Sequence, residues 1–274
     1  MTTGVIALAL LTLTGCSAAK TASAPTDSAE AATAISHVHA IVADPAGEGF
    51  LLGTHEGIYA VDATGALGGR VGSADFDAMG LTATDGTLLA SGHPGANTPA
   101  EWGAPHLGII RSKDGAASWE PVTFTGQKDF HAMTSGPGGT VFALATDSPE
   151  LLSSTDNGDS WSSTGATTDA VAFAVDWEGR VIAATPEGTQ LSTDGGASFS
   201  PWADAPAVYR VAASPDHELV VGVDTDNTIW VTSAAGAWTE AGAVQGSAQA
   251  VAITNTGDIV LVDERGLSYL PASN

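Results

Sequence analysis

Six times along this chain a short run of alternating small and apolar residues is followed, after a turn, by a second apolar run. The first runs read HAIVADP (39–45), MGLTATD (79–85), HAMTSGP (131–137), VAFAVDW (171–177), YRVAASP (209–215) and AVAITNT (250–256). The second read FLLGT (50–54), TLLAS (87–91), TVFALAT (140–146), RVIAAT (180–185), ELVVGV (218–223) and DIVLV (258–262). Short runs of period two bounded by Gly, Asp and Pro predict strands. Paired runs recurring at a near-constant interval predict six small antiparallel sheets of about 40 residues each.

A second repeat lies outside these pairs. Three segments match one another: Ser112 to Trp119 (SKDGAASW), Ser154 to Trp161 (STDNGDSW) and Ser192 to Phe199 (STDGGASF). Thr232 to Trp238 keeps the tryptophan of a worn fourth copy and lacks the aspartate. The pattern suits a hairpin turn. Asp114, Asp156 and Asp194 accept backbone N–H bonds, a glycine permits positive φ, and Trp119, Trp161 or Phe199 packs between sheets. The first copy has Ala116 at the glycine position. The three segments resemble the Asp-box, or BNR repeat, S-x-D-x-G-x-[ST]-[WF]. That resemblance implies a structural role for the three aspartates rather than a catalytic one.

Repeat and strand pattern together predict an all-β, six-bladed β-propeller over residues 37–274. A Pro- and Gly-rich insertion, residues 91–108, interrupts blade 2. The last unit ends soon after LSYLP and lacks an outer strand. Residues before His37 are the candidates to supply it, although that segment is poor in strand formers.

The N-terminus is of another kind. Residues 5–13, VIALALLTL, form an apolar run that fits the h-region of a signal peptide and is short for a permanent span. Leu13-Thr14-Gly15-Cys16 resembles a bacterial lipobox, whose cysteine is lipidated, although the n-region lacks Lys and Arg. Cys16 is the single cysteine, so an intrachain disulfide is excluded. Residues 1–15 are therefore expected to be a signal peptide. Residues 16–36, rich in Ala, Ser and Thr, are expected to be a flexible tether. Together they imply a lipid-anchored, extracytoplasmic protein at the cell membrane. The formal charge of −23, from 8 basic and 31 acidic residues, opposes binding to nucleic acid.

The chemistry concentrates in blades 1 to 3. In a propeller the start of the first strand and the end of the second meet at one rim of the central channel. Alignment of the six units places His37, Asp77, Asp129 and Asp169 just before the first strand. His39, Met79, His131, Val171, Tyr209 and Ala250 fall two residues on. His55, His93 and Asp147 fall at the end of the second strand. His37, His39, His55, His93 and His131, with Asp77, Asp129 and Met79, are thus expected to converge at one channel mouth. Asp77, Asp129 or Asp147 would orient the rings. Imidazole with carboxylate suits zinc, nickel or Cu(II), and a thioether such as Met79 favours copper. Copper is the first expectation and zinc the second, with a small ligand as the alternative occupant. His106 in the insertion is expected to join if the insertion folds over the rim. His217 is placed at the opposite end of blade 5.

The motifs His37-Val-His39, Thr54-His55-Glu56-Gly57, Ser91-Gly92-His93-Pro94 and Asp129-Phe130-His131-Ala132 are similar to those of a subset of secreted bacterial Asp-box propellers. The wider group includes sialidases, sortilin-type receptors and photosystem II assembly propellers. Sialidase chemistry requires three converging arginines. The five here, Arg70, Arg111, Arg180, Arg210 and Arg265, are dispersed, and strand alternation points Arg210 away from Tyr209. Three functions therefore compete: a metal- or ligand-binding propeller, a protein-binding or assembly scaffold, and a glycosyl hydrolase using rim carboxylates. An apolar patch around Trp102 and Trp202 would favour the scaffold.

Overall fold

The computed structural model describes residues 1–2, 35, 37–233 and 236–272. Cys16, the signal-peptide segment and the tether lie outside the described residues, as does any strand they supply to blade 6.

The chain folds as a six-bladed β-propeller. Blade 1 comprises strands Val38–Ala43, Phe50–Thr54, Gly57–Val61 and Leu67–Arg70. Blade 2 comprises Phe76–Thr84, Thr87–Pro94, Ile109–Ser112 and Glu120–Thr123. Blade 3 comprises Phe130–Ser135, Val141–Ala145, Glu150–Ser154 and Ser162–Thr167. Blade 4 comprises Ala172–Val175, Val181–Thr185, Gly188–Ser192 and Ser200–Pro201. Blade 5 comprises Val208–Ala213, Leu219–Asp224, Thr228–Ser233 and Trp238–Ala243. Blade 6 has three strands among the described residues, Ala250–Ile253, Ile259–Asp263 and Gly266–Leu270. Neighbouring strands within each blade are antiparallel.

The apolar pattern follows from the layout. The second strands of blades 1, 3, 4 and 6 are buried at every residue, because a neighbouring blade covers each face. First strands line the channel, and those of blades 1 to 5 bury only part of their residues. Outer strands such as Glu120–Thr123 are polar and largely exposed. Six apolar clusters fill the six seams. The seam of blades 1 and 2 holds Leu51, Ile58, Phe76, Leu88, Trp102 and Trp119. The ring closes by the same means: Val38, Ile41, Phe50 and Leu52 of blade 1 pack on Ala250, Ala252, Val260 and Val262 of blade 6.

The repeated turns share one hydrogen-bond plan. The Ser112, Ser154 and Ser192 hydroxyls donate to Asp114, Asp156 and Asp194 at 2.8–2.9 Å. Each aspartate in turn accepts from the N–H of Ser118, Ser160 or Ser198 at 2.9 Å. These bonds, led by that of the Ser198 hydroxyl, hold the Asp194 carboxyl down at about 2. Trp119 packs on Phe76, with ring centroids 5.5 Å apart. Trp161 stacks on Phe130 at 5.9 Å, and Phe199 meets Phe173 at 6.5 Å. Trp238, in the worn copy, packs on Trp202 at 5.7 Å. Each aromatic thus fills a seam, and the aspartates stay out of the channel.

Candidate functional site

One irregularity recurs where the first strand of a blade begins. In blade 1, Val38 pairs with Thr54 and Ala40 with Gly53, so His39 is an extra residue. Met79, His131 and Tyr209 are the extra residues of blades 2, 3 and 5. A bulge breaks strand alternation and re-aims the extra side chain. It also leaves the preceding N–H without a ladder partner, and a buried N–H needs an acceptor. Side chains from adjacent blades supply it. Val38 N–H donates to Gln249 Oε1 at 2.8 Å and Phe130 N–H to Ser91 Oγ at 2.9 Å, while Val208 N–H is shared between the Pro206 carbonyl at 2.9 Å and Thr189 Oγ1 at 3.2 Å. Ala248 N–H donates to the Tyr209 hydroxyl at 2.7 Å.

Two positions shift from the sequence alignment. In blade 6, Ala250 pairs with Val262 as Ala40 pairs with Gly53, so Gln249 and not Ala250 stands where His39 does. In blade 3, Thr146 N–H donates to the Asp129 carbonyl, so Thr146 stands opposite Asp129 as His93 stands opposite Asp77. Asp147 lies one residue beyond and pairs with Lys128 Nζ at 3.2 Å.

The rim histidines form two clusters rather than one. In the first, His39 Nε2 and His55 Nδ1 lie 3.4 Å apart. They stand 3.4 and 3.0 Å from Asp77 Oδ1. Two blades supply these donors: the bulge of blade 1, the end of its second strand, and the start of the first strand of blade 2. The turn carrying His55 is held by Thr54, whose hydroxyl donates to the Gly57 carbonyl at 2.9 Å and accepts from Glu56 N–H at 3.1 Å. The His37 ring lies beside the cluster, 4.7 Å from the His39 ring and 5.7 Å from the His55 ring. It is not one of the three residues whose ligand atoms converge.

The second cluster joins blades 2 and 3. His131 Nε2 and His93 Nε2 lie 2.7 and 3.3 Å from Asp129 Oδ2. Asp129 is buried and its Oδ1 has no hydrogen bond. Gly92 permits the tight pairing of the first two strands of blade 2 next to His93: with φ of +146°, a Cβ there would lie 1.9 Å from the Asp77 carbonyl oxygen. The insertion folds against the same end of blade 2, where Leu107 N–H donates to the Gly92 carbonyl. It brings the His106 ring to 5.3 Å from His93. Met79 occupies the blade 2 bulge between the bulges bearing His39 and His131. His217 sits in a turn at the far end, its Nδ1 2.9 Å from the Val175 carbonyl.

Burial and neighbouring charge act in opposite directions on the rim groups. Burial is the main cause that lowers His39 to about 4; His55, His37 and His131 add to it, and Asp77 opposes. Burial, His55 and Arg210 also lower His37. Burial would raise the Asp129 carboxyl. The bond from His131 and the charges of His131, His93 and His106 outweigh it and keep the group below its ordinary value. Asp77 Oδ1 is buried and makes no regular hydrogen bond, with the two imidazole nitrogens as its close polar neighbours.

Other candidates fall elsewhere. Trp102 is buried in the seam of blades 1 and 2, 6.2 Å from Phe76, and is no rim platform. Trp202 packs on Trp238 beneath Arg180, so neither tryptophan builds an exposed patch. Arg210, expected to point away, lines the channel, because the bulge at Tyr209 breaks the alternation. Gln249 is a rim residue that the sequence pattern did not single out, and Ser91 and Arg210 appear there without these roles. The extra residue of a bulge carries no local signature beyond the residue it displaces.

No protein-family model and no curated protein sequence matches this chain. Solved structures do match in shape. A gluconolactonase-like protein aligns with a TM-score of 0.61 and 11% identity, over 86% of this chain and 88% of that one. The GH74 enzyme of Niastella koreensis aligns with a TM-score of 0.56 and 19% identity, over 88% of this chain and 38% of the enzyme. This chain therefore spans well under half of that enzyme. YCF48 bound to D1 peptide aligns with a TM-score of 0.52 and 13% identity, over 86% of this chain and 78% of that one. At these identities the likeness is one of fold.

Proposed function

We propose that this chain is a lipid-anchored, extracytoplasmic β-propeller that binds a divalent transition ion, Cu(II) or Zn(II), at the channel rim of blades 1 to 3. The observation that carries the reading is the convergence of His39, His55 and Asp77 from two adjacent blades. Two imidazole nitrogens and a carboxylate oxygen form a donor set suited to both ions. Bonds of about 2.0–2.1 Å in a tetrahedral site place ligand atoms roughly 3.3–3.4 Å apart. The three separations here are 3.0–3.4 Å. The ligands therefore need little movement, His39 is neutral above its lowered pKa, and the unbonded Asp77 oxygen gains a cation. The His93, His131 and Asp129 cluster is the weaker site, because an ion there must displace the 2.7 Å contact between His131 and Asp129. A thioether from Met79 would tilt the selection toward copper.

The membrane anchor rests on Cys16 and its Leu13-Thr14-Gly15 context, and the Asp-box assignment on the three serine–aspartate turns. Sialidase chemistry finds no support, since of the five arginines, Arg70, Arg111, Arg180, Arg210 and Arg265, Arg210 alone lines the channel. Sugar hydrolysis by rim carboxylates is disfavoured, because Asp77 and Asp129 face imidazoles and Asp147 faces Lys128. A scaffold role would want an apolar patch at one face. Among the described residues the exposed large apolar side chains other than Met1 are Val171 and Trp177, which lie at opposite ends of blade 4.

The test is metal analysis of protein purified without a polyhistidine tag, followed by calorimetric titration with Cu(II) and Zn(II). Wild type should bind one ion tightly and a second more weakly, and His217→Ala should match it. Binding that is unchanged in His39→Ala would overturn the reading.

A further inference from the structure

The channel encloses about 1530 Å³, and its two ends differ in charge. Asp44, Glu48, Asp85 and Asp258 line it at the turns between first and second strands. The histidine rim lies at the other end. Arg210 is the only lysine or arginine lining the channel among the described residues. Its Nε donates to the Gln249 carbonyl at 2.7 Å, and its Nη1 to the Tyr209 carbonyl at 3.0 Å. The guanidinium lies over the Tyr209 ring at 5.2 Å. These partners are neutral, and among the described residues no carboxylate comes within 4.0 Å of it. In a chain of net charge −23, a channel arginine left without a counter-ion has an unmet demand for an anion. Gln249 also holds the first cluster in place, because its side chain accepts the N–H of Val38, between His37 and His39. Arg210 is near enough for its charge to act on His37.

We infer that the channel mouth takes a small organic carboxylate, paired at one end with the Arg210 guanidinium and ligating at the other the ion held by His39, His55 and Asp77. The inference rests on the metal reading above. Three protein donors leave a tetrahedral ion one open position, as in sites that bind a ligand directly. The forked guanidinium suits a carboxylate with two parallel hydrogen bonds. The acidic far end repels the same anion and confines it to the histidine end.

The test is calorimetric titration of succinate into zinc-loaded and zinc-free wild type, Arg210→Gln and Arg210→Lys. Zinc affinity is measured on each and doubles as the check on folding. The expected result is succinate binding that zinc strengthens. Arg210→Gln should weaken it about tenfold at unchanged zinc affinity, because a charge-assisted pair is lost. Arg210→Lys should bind at an intermediate level, keeping the charge and losing the fork, and it carries the test if Arg210→Gln does not fold. Zinc binding with succinate affinity equal in wild type and both variants overturns this inference and leaves the metal reading standing. Failure of both zinc and Cu(II) to bind wild type overturns both, and where Cu(II) alone binds it takes the place of zinc in the same titrations.

Discussion

Nδ1 of His55 stands 3.0 Å from Oδ1 of Asp77, across the seam between blades 1 and 2. The two side chains are brought together by the packing of one blade on the next, with no shared turn or strand pair. Asp77→Asn keeps the shape and removes the charge. It should weaken the tighter ion by at least the roughly 10- to 100-fold that loss of an outer-shell partner costs. His131→Ala should leave that ion in place and abolish the weaker one. Calorimetry checks both: the tighter ion should bind more weakly in Asp77→Asn, and the stoichiometry should fall from two to one in His131→Ala with the tighter ion surviving.

Metal-free protein should lose stability on acidification through His39. Its folded pKa of about 4 lies below the ordinary 6.5. Between those values the unfolded chain binds the extra proton, so stability falls as pH drops from 6.5 toward 4 and is unaffected above 7. The loss should reach about 1–2 kcal/mol by pH 5. Self-repulsion in a chain of charge −23 eases over the same range and acts in the opposite sense. The informative quantity is therefore the difference in urea midpoint between wild type and His39→Ala, in chelator, at pH 7.5 and pH 5. A constant difference at both values would contradict the assignment.

Ser91→Ala tests the ties between blades. It leaves the buried N–H of Phe130 without its acceptor, at a cost of about 1–3 kcal/mol. Phe130 separates Asp129 from His131, so the weaker ion should lose affinity while the tighter one is unchanged. Denaturant unfolding gives the first quantity and metal titration the second. Ser91→Thr retains an acceptor and should restore part of both.

Cys16→Ser tests the anchor. Wild type expressed in a bacterium with lipoprotein processing should partition into detergent, and the variant should stay in the aqueous phase. Equal partitioning of the two would remove the lipobox reading and leave the rim chemistry untouched.

Much of this architecture is written locally. Runs such as FLLGT at 50–54 and VIAAT at 181–185 alternate or bury along a strand, and the Ser-x-Asp turns recur at a period that admits one blade each. Six blades follow, and so does the gathering of His37, His39, His55, His93 and His131 toward one rim. Glycine at 92 and the hydroxyl at Thr54 are local devices too, visible in the motifs they belong to.

Other features were decided only when the blades packed. The bulges at His39, Met79, His131 and Tyr209 add one residue without a distinctive sequence, so the register moved by one at Gln249 and Thr146, and Arg210 turned into the channel. The division of the rim into two clusters also arose there. His39 and Asp77 are 38 positions apart and His93 and Asp129 are 36 apart, and each pair meets only because the seam brings neighbouring strand ends together. Strand periodicity is a property of a few adjacent residues and can be read from the chain. Which side chains share one point depends on seam packing, set by residues such as Phe76, Trp102 and Phe130, whose partners across the seam lie far off in the chain.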